Sequence, residues 1–494
     1  MPTTSFAAPA CTPEAVLAAP RPSAEAVATT VPGGPVAVQA SAPTALTALL
    51  PVVGATTQVP LVDGTSRVYA NLDYAASAPA LESVAARVTE VLPLYASVHR
   101  GAGYLSQVST ALYEASRRTV AAFVGARPDD VAVITRNTTD AVNLLAGCVP
   151  AGGRVLVLDI EHHANLLPWV RSAEGTGRAA TILAAAPTVA ETLEAVRIEL
   201  ARGPYALLTV TGASNVTGEG LPVAEVVRIA HAAGTRVLVD GAQLVPHRGF
   251  SLAGTDADYV AFSGHKTYAP FGAGALVGRR DWLDSGTPYL AGGGAVRDVR
   301  TDRTLWQPAP ARHEGGSPNV LGAVALAEAC DTLSALPDGV LAAHEEALRD
   351  RLVAGLARVP GVRLLRLWSD STDPVGVVSF TLDDHDPGLV AAYLSAEHGI
   401  GVRDGRFCAH PLLARVGASA GAIRASVGVG SDAEAVDRLV SALELYVADG
   451  PRARYEVVDG CWTVADDTRP RPTVAGIDAI AATAAAACGP AVED

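Results

Sequence analysis

The 494-residue sequence has little of what marks several protein classes: one methionine, 5% aromatic residues and 18% charged residues. No run of 18 apolar residues occurs, which excludes a conventional membrane-spanning helix. The N-terminus lacks the basic segment and apolar core of a secretory signal. Six cysteines are scattered without CxxC spacing, which favours neither a zinc site nor a disulfide framework and predicts a reducing compartment, the cytoplasm. A net charge of −14 disfavours a nucleic-acid partner.

What is present divides the chain into four stretches. Residues 1–67 are rich in Ala and Pro and are predicted to form a disordered leader. Strands and helices alternate over residues 68–323, which predicts an α/β domain with a parallel sheet wrapped by helices and a site at the carboxyl ends of the strands. Residues 324–448 read as a smaller α+β domain. The Ala- and Pro-rich tail, 449–494, is predicted to be flexible.

Two apolar runs end in residues that suit amine chemistry. One ends in Ser263-Gly-His-Lys266, and the preceding one ends in Asp240. A desolvated lysine has a lowered pKa and becomes a nucleophile toward a carbonyl, although most lysines are solvated surface groups. A lysine to bond the cofactor's aldehyde and a carboxylate to hold its pyridinium nitrogen protonated are what pyridoxal 5′-phosphate (PLP) chemistry requires.

Asp240-Gly-Ala-Gln243 followed by Ser263-Gly-His-Lys266 resembles the class V group of fold-type I PLP enzymes. That group includes cysteine desulfurases, selenocysteine lyases and some aminotransferases, and the resemblance runs from about residue 69 to about 448. It implies a large PLP-binding domain with a mainly parallel seven-stranded sheet, a smaller α+β C-terminal domain, and a homodimer.

A phosphate site is predicted where the strand from Val131 gives way to a helix at Thr138 and Thr139. Free backbone amides at a helix start and two hydroxyls suit an anion, although an ordinary Asn/Thr helix cap has the same pattern. The resemblance implies that Thr139, Ser263 and His265 bind the phosphate.

Three further polar positions are candidates for the cofactor site. The pair His162-His163 could suggest a metal, but no distant ligands with suitable spacing accompany it, and no metal is predicted. The resemblance implies that His162 stacks on the PLP ring, that Gln243 hydrogen-bonds the ring's phenolic oxygen, and that Asn215 faces cofactor and substrate. Asn215 also fits a plain turn before glycine.

The reaction type depends on Cys408, which follows Arg403 by five residues. An arbitrary cysteine is usually a small buried hydrophobe, but the cations Arg403, Arg406 and His410 nearby favour the thiolate. The loop resembles the persulfide-forming loop of desulfurases, which implies conversion of L-cysteine to L-alanine with sulfur left on Cys408. By the same resemblance Arg424 pairs with the substrate carboxylate, and Arg403 is a second candidate.

The sequence departs from the commonest family pattern in this loop. Arg406-Phe407 replace a usual histidine pair, and His410 occupies a position often held by Met or Trp. The short segment between Arg403 and Arg424 and the insertion at 291–297 resemble type II desulfurases, which generally need an acceptor protein for the sulfur. A class V aminotransferase, an epimerase or a selenocysteine lyase with an incidental Cys408 is the alternative.

Two further expectations concern partners. Gly316-Ser317-Pro-Asn319 matches a loop that, in the family, reaches the PLP phosphate of the other subunit, so Ser317 is the predicted cross-subunit ligand, although a plain proline turn has this pattern too. Some desulfurases carry leaders that load them into encapsulin-type protein shells. Leu46, Leu49 and Leu50 are the candidate docking anchors here, against the alternative of an unselective extension, and the leader is expected to be dispensable for turnover.

Overall fold

A computed structural model of the chain describes residues 46–99, 101–176 and 179–470. Strands and helices alternate through its first half, as the sequence predicts. In chain order they are β1 (Gln58–Pro60), β2 (Ser66–Val68), β3 (Ala70–Asn71), α1 (Glu82–Val91), α2 (Tyr104–Phe123), β4 (Val131–Thr135), α3 (Thr138–Cys148), β5 (Val155–Leu158), α4 (His163–Thr176), β6 (Ala180–Leu183), α5 (Val189–Ala201), β7 (Leu207–Thr211), α6 (Val223–Ala232), β8 (Arg236–Asp240), α7 (Leu252–Thr255) and β9 (Tyr259–Ser263).

The second half contains a second sheet and longer helices. Its elements are β10 (Gly274–Gly278), α8 (Arg280–Ser285), β11 (Val296–Val299), β12 (Thr304–Trp306), α9 (Val320–Ser334), α10 (Val340–Leu356), β13 (Val362–Leu364), β14 (Val377–Leu382), α11 (Pro387–His398), β15 (Ile400–Gly401), β16 (Arg403–Gly405), α12 (His410–Arg415), β17 (Ala422–Ser426), α13 (Ala433–Asp449), β18 (Tyr455–Val458) and β19 (Cys461–Val464). Across the described ranges, none of these helices combines the length and apolar character needed to cross a membrane.

The large sheet has seven strands in the order β4-β10-β9-β8-β7-β5-β6. Only β10 runs antiparallel to its neighbours in this sheet, and the other pairings are parallel. Strands β5, β7, β9 and β10 are buried along their whole length, as expected for Val- and Leu-rich strands covered by helices on both faces. The predicted α/β fold with a mainly parallel seven-stranded sheet is confirmed.

A second, four-stranded antiparallel sheet has the order β13-β14-β17-β16. Its core contains residues of α10, α11 and α13, among them Leu348, Leu394 and Leu439. The boundary expected at residue 324 falls inside the continuous helix α9, so the chain does not break there.

Residues 46–53 form a strap that joins distant parts of the chain, and this corrects the expectation that the leader is disordered up to residue 67. The backbone N–H groups of Leu49 and Leu50 donate to the Val429 carbonyl at 2.7 and 3.0 Å, and Ala433 N–H donates to the Leu46 carbonyl at 2.9 Å. All three leucines pack against the buried core. They are engaged by the folded chain itself, because apolar side chains next to an uncovered core are buried there. Residues 1–45 lie outside the described residues.

The expected flexible tail also contains a folded segment. Strands β18 and β19 form an antiparallel hairpin, and the Tyr455 hydroxyl donates to Glu397 Oε1 on α11 at 3.1 Å. The same carboxylate accepts the backbone N–H groups of Arg452 and Ala453. These contacts anchor residues 452–464 on α11, and residues 471–494 lie outside the described part of the chain.

Candidate active site

Lys266 follows the buried strand β9, and it is the single lysine of the 494-residue sequence. The turn after the strand is closed by the N–H of Lys266, which donates to the Ser263 carbonyl at 3.2 Å. Burial lowers the pKa of Lys266 to about 8, although the charge of Asp240 opposes the shift. A larger fraction of this amine than of a solvated lysine is therefore uncharged and nucleophilic near neutral pH.

Asp240 ends the neighbouring strand β8 and is 4% exposed. Its Oδ1 accepts the backbone N–H of Ala242 at 3.0 Å. Burial raises the pKa of Asp240, and that N–H group and Lys266 oppose the shift. The carboxyl group borders the same cavity as Lys266, as the strand-end argument predicted.

The start of helix α3 separates the two interpretations of its Asn/Thr pattern. Asn137 is the N-cap, with its side chain accepting the N–H of Asp140 at 2.9 Å. The Thr138 N–H donates to Ser263 Oγ at 2.8 Å, and the two hydroxyls lie 2.7 Å apart. Asn137 does the capping, and Thr138 and Thr139 line the cavity at the positive end of the helix, where the Thr138 hydroxyl shares a hydrogen bond with Ser263.

His162 lies in the turn that leads into helix α4. Its Nδ1 accepts the N–H of Ala164 at 3.0 Å, which places the ring proton of the neutral imidazole on Nε2. Burial lowers the pKa of His162 to about 3, and the charge of Lys266 adds to the shift. The ring is therefore neutral at physiological pH.

Glu161 was not identified as a site residue from the sequence. It precedes His162 and ties this turn to its surroundings by hydrogen bonds. It is fully buried, and its two oxygens accept Asn165 Nδ2 at 2.7 Å and the Thr211 N–H at 3.0 Å. Burial raises the pKa of Glu161 to about 8, and the charge of Asp240 adds to the effect. Its place between an apolar strand and the His pair was a signal, but which groups it would meet depends on tertiary packing.

Cys408 occupies a loop between β16 and α12. Gly405, Phe407 and Cys408 all have left-handed backbone, with φ of 96°, 51° and 51°. The Cys408 carbonyl accepts the N–H of His163 at 2.8 Å, which ties the loop to the start of helix α4. The thiol is half-buried and borders the same cavity as Lys266.

Arg424 lies on β17 directly opposite Arg403 on β16, and both side chains border the cavity. Arg424 Nη1 donates to the Asn215 carbonyl and Nη2 to Asp73 Oδ1, each at 3.0 Å. Its Nε is buried without a hydrogen-bond partner among the described residues. Burial lowers the pKa of Arg424, and Asp73, which was not predicted, opposes the shift.

One cavity of about 270 Å³ brings together nearly all the predicted residues. Those lining it are Thr138, Thr139, His162, Asn215, Asp240, Gln243, Ser263, His265, Lys266, Arg403, Cys408 and Arg424. Ser317 is exposed and does not line it. Asn319, two residues further on, caps helix α9 and donates to the carbonyls of Phe271 and Gly272.

The cavity's own polar groups fit PLP. Gln243 Nε2 donates to the Ala75 carbonyl at 2.7 Å, and Gln243 Oε1 is buried without a partner among the described residues. An unpartnered buried acceptor indicates a polar group that the protein itself does not supply. Gln243 therefore offers an acceptor to a phenolic hydroxyl, whereas its amide nitrogen is already engaged. Thr138, Thr139 and Ser263 would hold the phosphate, and Asp240 the ring nitrogen.

Comparisons with known proteins identify the family of the chain. The family described as aminotransferase class-V matches residues 70–439. A protein of Dickeya dadantii named cysteine desulfurase is 38% identical over 390 residues, covering 76% of this chain and 91% of that protein. The solved structure of the cysteine desulfurase CsdA from Escherichia coli has a TM-score of 0.69 and 34% identity, over 76% of this chain and 94% of that one. A cysteine desulfurase from Thermococcus onnurineus has a TM-score of 0.71 and 30% identity, over 81% and 99%.

Proposed function

The chain belongs to the aminotransferase class-V family and, within it, to the PLP-dependent cysteine desulfurases, and from that membership we propose that it removes sulfur from L-cysteine and holds it as a persulfide on Cys408. The observation that supports this reaction is that Cys408, Lys266 and Arg424 border one cavity. A nucleophilic thiol, a basic amine and a carboxylate-binding cation are the three groups that the reaction needs.

The residues that line the cavity have different proposed roles in the reaction. Arg424, with Arg403 opposite it, binds the carboxylate of L-cysteine. Lys266 would hold the cofactor covalently, and its amine is placed to move protons at the substrate's α-carbon. Bound PLP supplies an electron sink for the charge that develops there. Neutral His162 would face the ring of bound PLP without adding charge.

Sulfur transfer balances without an external oxidant or reductant. The Cys408 thiolate attacks the sulfur of L-cysteine, and the new S–S bond forms as the substrate's Cβ–S bond breaks. The electron pair of that bond stays with the carbon, which gains the proton that the substrate thiol gives up. The products are L-alanine and a persulfide on Cys408, which a second thiol accepts.

Comparison of Cys408→Ala with the matched Cys461→Ala tests this function, because Cys461 is also a half-buried thiol. Alanine and sulfide are measured from L-cysteine with a reductant present. Cys408→Ala should lose at least about a hundredfold in sulfide release and still bind PLP, since loss of a covalent nucleophile costs that much or more. Mass mapping should place one added sulfur on Cys408 of the wild-type chain.

Full sulfide release by Cys408→Ala would contradict the proposal. If that variant instead transaminated or epimerised another amino acid at the wild-type rate, the aminotransferase or epimerase alternative would be favoured. Selenocysteine lyase activity would appear as selenide release that persists when Cys408 is removed.

The partners follow from the position of the site residues. We propose a homodimer in which Ser317 completes the phosphate site of the other subunit, because Ser317 is exposed and does not line its own chain's cavity. A separate acceptor protein is proposed to take the sulfur from Cys408. Docking of the leader into a protein shell would have to depend on residues 1–45, since Leu46, Leu49 and Leu50 face the enzyme's own core.

A further inference from the structure

Three residues around the cysteine loop form a closed set of contacts. Asn215 Nδ2 donates to the Phe407 carbonyl at 2.8 Å, and the Asn215 carbonyl accepts Arg424 Nη1 at 3.0 Å. The guanidinium carbon of Arg424 lies 5.2 Å from the centroid of the Phe407 ring. Each member of the set therefore contacts the other two.

The loop needs such support, because its backbone is unfavourable on its own. Phe407 and Cys408 are consecutive non-glycine residues with φ of 51°, a conformation in which the Cβ atom crowds the following carbonyl. Conformations of this kind persist where surrounding contacts over-determine them. Here those contacts are the bonds to the Phe407 and Cys408 carbonyls and the buried ring.

The Phe407 ring is anchored outside the loop. It is 4% exposed and belongs to the hydrophobic cluster that also contains Leu412, Leu413 and residues of the large sheet. One face of the ring meets the Arg424 cation, which is an attractive arrangement in a desolvated site. The ring therefore fixes the residue next to the nucleophile against both the core and the cation proposed to bind substrate.

We propose that Phe407 is a positioning residue that ties the conformation of Cys408 to Arg424, so that the group binding the substrate carboxylate also holds the nucleophile's loop in place. It rests on the roles proposed above for Cys408 and Arg424. It predicts that loosening either Phe407 or Arg424 releases the thiol, although Arg424 lies on a different strand from the loop.

The test measures the alkylation rate of Cys408 by iodoacetamide in the PLP-loaded enzyme without substrate, with peptide mapping to resolve each cysteine. Phe407→Ala should alkylate about tenfold faster at Cys408, because local opening becomes easier. Phe407→Tyr keeps the ring and should stay within about twofold of wild type, and Phe407→Leu, which keeps apolar bulk but not the ring, should fall between the two. Cys461 in the same samples is the internal control.

Arg424→Lys sharpens the test. It keeps a charge but loses the paired Nη contacts and the planar group over the ring, so Cys408 should again alkylate several-fold faster. The loop variants should lose sulfide release in kcat with KM for L-cysteine changed less than about threefold, whereas Arg424→Lys should also raise KM.

A Cys408 alkylation rate in Phe407→Ala within twofold of wild type would overturn the proposal. Equal behaviour of the Leu and Tyr variants, or an unchanged rate in Arg424→Lys, would overturn the coupling between ring and cation. Because alkylation needs no turnover, these outcomes are separate from a failure of the desulfurase reaction, which is judged by the persulfide on Cys408.

Discussion

Lys266 and Cys408 border the same cavity but are held in different ways. Lys266 continues a buried strand of the large sheet, and its supports, Asp240 and Ser263, are the last residues of strands. Cys408 lies in a loop with left-handed backbone that is held by side chains from other parts of the chain. Regular secondary structure thus positions Lys266, whereas contacts between residues far apart in the same chain position Cys408. The cysteine loop is therefore the part whose geometry a single substitution can change without unfolding the sheet.

The largest effect should come from the lysine side. Lys266→Ala removes the amine that we propose bonds the cofactor and moves protons, and should lower turnover of L-cysteine by at least about a thousandfold, within what one acid–base group contributes. Borohydride reduction of the PLP-loaded wild type should fix the cofactor on Lys266, because the chain has no other lysine. Turnover at the wild-type rate in Lys266→Ala would contradict the proposed role of Lys266, and with it the contrast between Lys266 and Cys408.

A second test concerns the lysine's charge. Reductive methylation of the cofactor-free chain with labelled formaldehyde should give one lysine side-chain resonance, titrating near pH 8. Asp240→Asn should lower this pKa further, because the Asp240 charge raises it.

The same shift predicts how stability depends on pH. Folding lowers the pKa of Lys266, so the unfolded chain binds more protons between about pH 8 and 10, and the free energy of unfolding should rise with pH in that window. Lys266→Met should lack this dependence of stability on pH. A Lys266 resonance that titrates near pH 10.4 would contradict the lowered pKa.

The smallest effect should come from the proposed subunit boundary. Ser317→Ala removes one hydroxyl from the phosphate and should weaken PLP retention by about 1 kcal/mol, or roughly fivefold, as for one lost hydrogen bond. Equilibrium dialysis of PLP measures it, with exposed Ser285 replaced by alanine as the control. Light scattering that finds a fully active monomer would exclude a composite site.

The lysine side was predictable from the sequence because its signals are local. One strand ends in Asp240 and the next ends three residues before Lys266, which places both residues at one edge of a parallel sheet. The cysteine side was predictable in its residues but not in its contacts. Asn215, expected to face the ligand, gives its amide to the Phe407 carbonyl, and Arg424 shares its Nη groups with Asn215 and Asp73. These partners lie about 190 to 350 residues apart, beyond what local patterns report.

For residues 46–67 the prediction of disorder was wrong. Their composition indicates disorder, yet Leu46 and its neighbours bind strands and helices formed much later in the chain. Composition indicates whether a segment can bury enough apolar surface by itself. It does not show whether other parts of the chain supply a surface on which the segment can pack.

The strap at residues 46–53 also sets an order of assembly during synthesis. Its partners, Val429 and Ala433, are about 380 residues downstream. At a translation rate of about 5 to 20 residues per second, the strap leaves the ribosome roughly 20 to 80 s before they do. Until then the backbone groups of Leu46, Leu49 and Leu50 lack these partners. Closing so long a loop comes late, since its entropic cost must be met before the contacts form. The first residues that the structure describes are thus among the last to fold.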